Sequence, residues 1–201
     1  MAAEALHKAE SPEHYCDLEL LGQKTLPPDR YAYIELCQQK NIAPQRVGLL
    51  PYALIETTQR LAVALAEDRH CPNNPYLQAQ SLFYAGLLAH YAADSCMPLH
   101  TTIHYDGRSE APEYKSPKTG IHLKTDALLG KIEYDPAALL KQIHPKPFDD
   151  LHAAVTAHLW QVNGLVERLY ALEAQLPALN APLTDQNGEL AEFARQRLQD
   201  A

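Results

Sequence analysis

Where the prolines fall is the feature that most limits what this chain can fold into. All 15 of them lie at the edges of, or between, stretches whose apolar residues recur every three or four positions. A proline inside a helix removes a hydrogen bond and clashes with the preceding turn, so this arrangement reads as helices set apart by proline-bearing connections. Pro27-Pro28-Asp29 introduces a short amphipathic helix over 30–40, with Tyr33, Ile34, Leu36 and Cys37 at helical spacing. Pro51 fits the first turn of a second helix that reaches Asp68, and Asn73-Asn74-Pro75 supplies a cap and a first-turn proline for a third. The third is apolar on most sides through Leu77, Leu82, Phe83, Leu87, Leu88 and Tyr91, which predicts a core position. Residues 98–117 read as a loop, 119–132 as a fourth helix, and Asp135-Pro136 as the start of a brief fifth. A long sixth spans 148–176 and a last helix 188–199. No alternating strand pattern or internal repeat is present. The expectation is an all-α fold, a single-domain multi-helix bundle with long connecting loops over 1–201 and a frayed stretch at 1–11.

Charge and hydropathy exclude several functions. A formal net charge of −8 repels polyanions, which argues against duplex DNA as a partner. The longest apolar run, Leu82 to Ala89, ends at His90 and is far short of a membrane span. The first residues lack the basic-then-apolar pattern of a secretory signal, so the protein stays inside the cell or its natural beginning precedes Met1. Cys16, Cys37, Cys71 and Cys96 have no CxxC spacing, and both buried thiols and disulfides remain open.

The ten histidines carry more information through placement than through number. His90 and Asp94 are four residues apart within the apolar third helix, and His122 and Asp126 repeat that spacing in the fourth. Residues four apart project from one helix face, so two such pairs on facing helices can converge on metal. An ionisable pair within an apolar helix is costly unless something compensates it, and a divalent cation does so. His100 follows just after the third helix. Imidazole and carboxylate without thiolate suit a catalytic zinc better than a structural one.

The segment His90-Tyr-Ala-Ala-Asp94-Ser-Cys-Met-Pro-Leu-His100-Thr-Thr resembles the signature of the superfamily that joins zinc-dependent phospholipase C and the single-strand-specific nucleases. Gly120-Ile-His122-Leu-Lys-Thr-Asp126 resembles its second signature, and Pro12-Glu-His14-Tyr-Cys-Asp17 an upstream one. Ile103-His-Tyr-Asp-Gly107 is similar to a segment that follows the first signature in bacterial members. The resemblance implies an all-α zinc phosphodiesterase with two or three Zn2+ per chain and a secreted or periplasmic location. His14, His90 and Asp94 would hold one zinc, and His100, His122 and Asp126 a second. Asp94 would bridge the first to a third, and the metals would activate water for in-line attack on a phosphodiester. Implied substrates are single-stranded nucleic acid or a phospholipid headgroup ester.

The sequence also departs from that pattern. The family holds its third zinc with an amino-terminal tryptophan and a nearby histidine, and has an aspartate upstream of the His14 counterpart; the thirteen residues before His14 contain neither Trp nor Asp. Glu4 and His7 are conceivable replacements. Ala93 stands where glycine is usual, and His104 where asparagine is common, as an extra ligand, a substrate contact or a plain loop histidine. Tyr105 and Tyr114 either contact substrate or pack the loop. His144, His152, His158 and Trp160 read as surface or core residues, and 189–197 as a solvated helix face. The competing reading is a catalytically impaired, metal-stabilised helical domain acting as a binding module.

Overall fold

The computed structural model describes residues 8–108 and 116–200. The longer helices are α1 (Arg30–Gln39), α2 (Leu50–His70), α3 (Pro75–Ser95), α4 (Ile121–Asp126), α5 (Pro136–Gln142), α6 (Leu151–Asn163), α7 (Val166–Ala171) and α8 (Gly188–Asp200). Short 3-10 turns at Ser11–His14, Leu18–Leu21 and Pro98–Thr101 and a helical turn at Pro44–Val47 join them. No strand is present among the described residues, which makes the fold all-α. No described helix is long and apolar enough to cross a membrane, and no disulfide joins the four cysteines.

Helix starts follow local chemistry. The Asp29 carboxylate accepts from the Tyr31 and Ala32 N–H groups at 2.9 Å, Asn74 Oδ1 accepts from Tyr76 N–H at 3.0 Å, and Asp135 and Asp150 cap α5 and α6 in the same way. Each satisfies donors that the first helical turn leaves open.

Four expectations need correction. The long sixth helix breaks at Gly164 into α6, α7 and the 3-10 turn Glu173–Gln175. Leu159, before the break, belongs to one buried cluster, and Leu169 and Leu172, after it, belong to the other. The fourth helix closes at Asp126, where Leu128 N–H turns back to the Thr125 carbonyl at 3.0 Å and tightens the chain into the 3-10 turn Leu129–Lys131. Of the stretch expected to fray, residues 8–11 are helical, and the rest lies outside the described residues. The fourth concerns α3, which is not a core helix. Leu82 is 76% and Phe83 65% exposed, because α2 covers one face of α3 and no described residue covers the opposite one.

The core comprises two clusters. Cys16, Leu18, Tyr33, Leu50, Leu54, Tyr91 and Leu159 belong to the first; Leu99, Ile121, Leu128, Leu169, Leu190 and Phe193 belong to the second. The segment 12–17 fastens the first cluster to the start of α2: Leu49 N–H donates to the Pro12 carbonyl at 2.6 Å and Asp17 N–H to the Val47 carbonyl at 2.6 Å. Gly48 allows this approach. Its φ is +98°, and a Cβ there would lie 2.0 Å from the Tyr15 carbonyl oxygen. Gly48→Ala is therefore expected to destabilise the fold by more than about 3 kcal/mol in urea titration, combining backbone strain with a collision against main chain.

Candidate metal centre

His14, His90 and Asp94 come together, although 76 residues separate the two histidines. The 3-10 turn Ser11–His14 ends on His14, and α3 presents His90 and Asp94 one turn apart. His14 Nδ1 stands 2.9 Å from Asp94 Oδ2 and 3.1 Å from His90 Nε2, and His90 Nε2 is 3.4 Å from the same Asp94 oxygen. Three ligand atoms from two elements thus face one point, and the group could hold a metal ion.

A second group repeats the composition. His100 sits in the 3-10 turn Pro98–Thr101, and α4 carries His122 and Asp126. The two Nε2 atoms of His100 and His122 are 3.0 Å apart. Asp126 lies 3.1 Å from His122 Nε2 and 3.9 Å from His100 Nε2. These three could also hold a metal ion.

The groups share a wall. His100 Nδ1 lies 2.6 Å from the His14 carbonyl oxygen, which can only accept, so Nδ1 carries the proton and Nε2 presents its lone pair to the second group. The same Nδ1 is 3.6 Å from Asp94 Oδ1, while Asp94 Oδ2 serves the first group. Cys16 N–H, donating to the His100 carbonyl at 2.8 Å, ties the two ligand-bearing turns together.

Electrostatics sort the imidazoles. The Asp94 hydrogen bond raises the pKa of His14, against a smaller opposing effect of burial. Burial lowers that of His100, with the Asp94 charge opposing, which keeps the ring neutral. For His122 burial works against the charged form, but the Asp126 hydrogen bond and the charges of Asp126, Asp106 and Asp94 outweigh it, and its pKa is raised. A metal at either group would have to displace the protons these carboxylates favour on His14 and His122, because ligand imidazoles must be neutral.

Supporting contacts fix the ligand-bearing turns. Arg30 donates to both oxygens of Glu13 at 2.7 and 2.9 Å and to both of Glu56 at 2.8 and 3.2 Å. That fork clamps the residue before His14 to α1 and α2. Asp106 Oδ1 accepts the His122 N–H at 3.2 Å, where α4 begins. Glu19 accepts from Thr102 Oγ1 at 2.6 Å and from Ile103 N–H at 3.2 Å, steadying the chain beyond His100. Arg30, Glu19 and Gly48 were not singled out by sequence reasoning, since no motif spacing links them to the ligands. The DG turn at Asp106-Gly107 was a visible signal, and its carboxylate proves to orient a ligand helix.

The remaining sequence candidates separate clearly. Tyr105 is half-buried, its ring edge-on to His122 at 5.9 Å between centroids, with Lys118 Nζ 5.2 Å from its ring centre. His104 belongs to neither ligand group; its carbonyl accepts from Tyr170 Oη at 2.6 Å. His152 Nε2 donates to the Pro27 carbonyl at 2.7 Å, which ties α6 to the connection before α1, and His158 Nε2 lies 3.1 Å from Ser95 Oγ, which ties α6 to α3. Trp160 packs against the first core cluster. Glu4, His7 and Tyr114 lie outside the described residues. Asp17, in the upstream motif, is half-buried and belongs to neither group, and burial beside Glu19 pushes its pKa up to about 8 despite Arg46.

No protein-family model, no curated protein and no solved structure matches the chain. The functional reading rests on the geometry of the two groups.

His90→Ala and His122→Ala should each remove about one bound metal per chain, read by elemental analysis. Each should also erase about 2.7 kcal/mol of stabilisation at a free metal concentration a hundredfold above the dissociation constant. Asp17 sets a separate pH dependence. Its folded pKa lies above its unfolded one, so the native state holds the extra proton and stability falls as pH rises from about 4 to about 8. Asp17→Asn should flatten that slope in urea titrations at pH 5 and pH 8.

Proposed function

We propose that this protein is a zinc-dependent phosphodiesterase of the phospholipase C and single-strand nuclease type. The observation that carries the proposal is the pair of His-His-Asp groups joined through Asp94 and His100. Donors around a tetrahedral zinc at about 2.0–2.2 Å stand about 3.3–3.6 Å from one another. The donor separations of 2.9, 3.1 and 3.4 Å in one group, and in the other 3.0 Å between the imidazoles with 3.1 and 3.9 Å to the two Asp126 oxygens, bracket that spacing. Two nitrogens and one oxygen with an open fourth side is the donor set of a catalytic zinc. Zinc bound there supplies Lewis acidity, polarising a phosphoryl oxygen and acidifying water near neutral pH.

The chain's own residues do the rest. His14, His90 and Asp94 would hold one ion, and His100, His122 and Asp126 the other. Asp94 faces both groups, with one oxygen toward the first and the other toward the His100 ring, so its charge is felt at each. His90, 59% exposed, and Asp126, 42% exposed, mark the side open to solvent where a phosphoester would enter. Tyr105 and Lys118 flank the second group, and the Lys118 ammonium offers a positive charge to a phosphate oxygen. These positions favour a phosphodiester over a neutral ester. The net charge of −8 does not oppose this, because two divalent ions would reverse the local field.

The reading is tested by metal analysis together with hydrolysis of bis(p-nitrophenyl) phosphate. Zinc-dependent turnover that chelation abolishes and zinc restores supports it; two bound metals without turnover would instead support a metal-stabilised binding domain. Asp94→Asn should cost at least about tenfold more activity than Asp126→Asn, since only Asp94 faces both groups. Equal losses at equal zinc content would reject its shared role.

A further inference from the structure

Asp94 faces both ligand groups, and the way it does so bears on how the groups fill. Its Oδ2 lies 2.9 Å from His14 Nδ1 and 3.4 Å from His90 Nε2, while its Oδ1 lies 3.6 Å from His100 Nδ1. The Asp94 side chain is 15% exposed against 42% for Asp126, so water screens its charge less. The His100 ring continues the path, since Nε2 on its far edge lies 3.0 Å from His122 Nε2. The connection from one group to the other thus runs through one carboxylate and one imidazole.

Two effects oppose each other along this path. Order favours joint filling, because the His14 carbonyl sets the tautomer of His100. The fold itself already makes that contact at 2.6 Å and secures it on both sides. Cys16 N–H donates to the His100 carbonyl at 2.8 Å, and the Arg30 fork holds Glu13 beside His14. An ion in the first group therefore has little left to organise in the second. Charge acts the other way. A dication that displaces a proton from one imidazole still adds a positive charge, so filling either group makes the other less attractive to a cation. Fixed neighbours such as Glu13 and Asp106, whose charges reach His14 and His122, act on each ion alike whether or not the other group is filled. They cancel from the difference. An ion on Asp94 Oδ2 also neutralises the carboxylate whose other oxygen supports the His100 ring as a donor. Both charge effects have the same sign, and the ordering effect is already spent.

We infer that the two groups bind metal antagonistically through Asp94 and His100, metal at either one weakening the other by at least about tenfold. By linkage the penalty is the same in either order of filling. The one-metal form then persists over a wide span of free metal. The two-metal form is reached only when metal is plentiful, which makes the metal supply a control on the proposed reaction. The inference rests on the reading of both groups as metal sites and not on the reaction assigned to them.

Zinc titration of the full chain at pH 8, in competition with a chromophoric chelator, gives its two stepwise association constants. His122→Ala reports the first group alone, and His90→Ala the second. The product of these two single-group constants should exceed the product of the wild-type stepwise constants by at least about tenfold. Circular dichroism should report the same helix content for all three proteins. If His122→Ala loses helix, Asp126→Ala, at a side chain 42% exposed, takes its place. Equal products, or a larger wild-type product, would overturn the inference. A wild type that binds no zinc would overturn it together with the proposed function. Two zincs bound with the expected gap but without hydrolysis of bis(p-nitrophenyl) phosphate would uphold the inference and reject the proposed function.

Discussion

The imidazole of His100 joins the two ligand groups, and its two nitrogens cannot exchange roles. The His14 carbonyl oxygen, 2.6 Å from Nδ1, fixes the proton on that atom and leaves Nε2 bare, 3.0 Å from His122 Nε2. Burial lowers its pKa and keeps the ring neutral. A ligand histidine normally needs a partner of this kind to set its tautomer. Here the partner belongs to the backbone of a residue that is itself a ligand of the other group. Movement of the Ser11–His14 turn therefore disturbs both groups together. The contacts that hold that turn, from the Arg30 fork to the close approach at Gly48, act on the whole centre.

The centre also lies on the boundary between the two core clusters. His14 and His90 adjoin Cys16 and Tyr91 of the first cluster, while His100 and His122 adjoin Leu99 and Ile121 of the second. Each ligand is placed by the burial of its neighbour in sequence. Two cations at this boundary would cross-link the clusters and so add to tertiary stability. The arrangement explains why ligands far apart in the chain can be held within hydrogen-bond distance by helices that individually have modest cores.

Much of this was legible in the sequence, and the limits have physical causes. Asp29, Asn74, Asp135 and the prolines beside them marked helix starts correctly, because caps act over two or three residues. The His-xxx-Asp pairs marked side chains that share a face for a similar reason: a four-residue spacing in a helix fixes that face whatever the tertiary structure. The break at Gly164 was missed because the residues around it keep a helical period on either side. Arg30 was missed because its partners Glu13 and Glu56 are 17 and 26 residues away. No local pattern announces such a clamp.

The misplacement of α3 in the core has a different origin. A helix apolar on all sides satisfies the same pattern whether its second face meets its own fold or another molecule, and periodicity does not distinguish the two. The distinction comes from what surrounds the helix. The side with Ser81, Tyr84, Leu88 and Tyr91 meets α2 and the body, while the side with Leu82 and Phe83 is exposed. His90 and Asp94 lie on the flank between these sides, where α3 turns from body to solvent. That position gives the ligands a buried side for orientation and an open side for access, and it follows from α3 being covered on one face only.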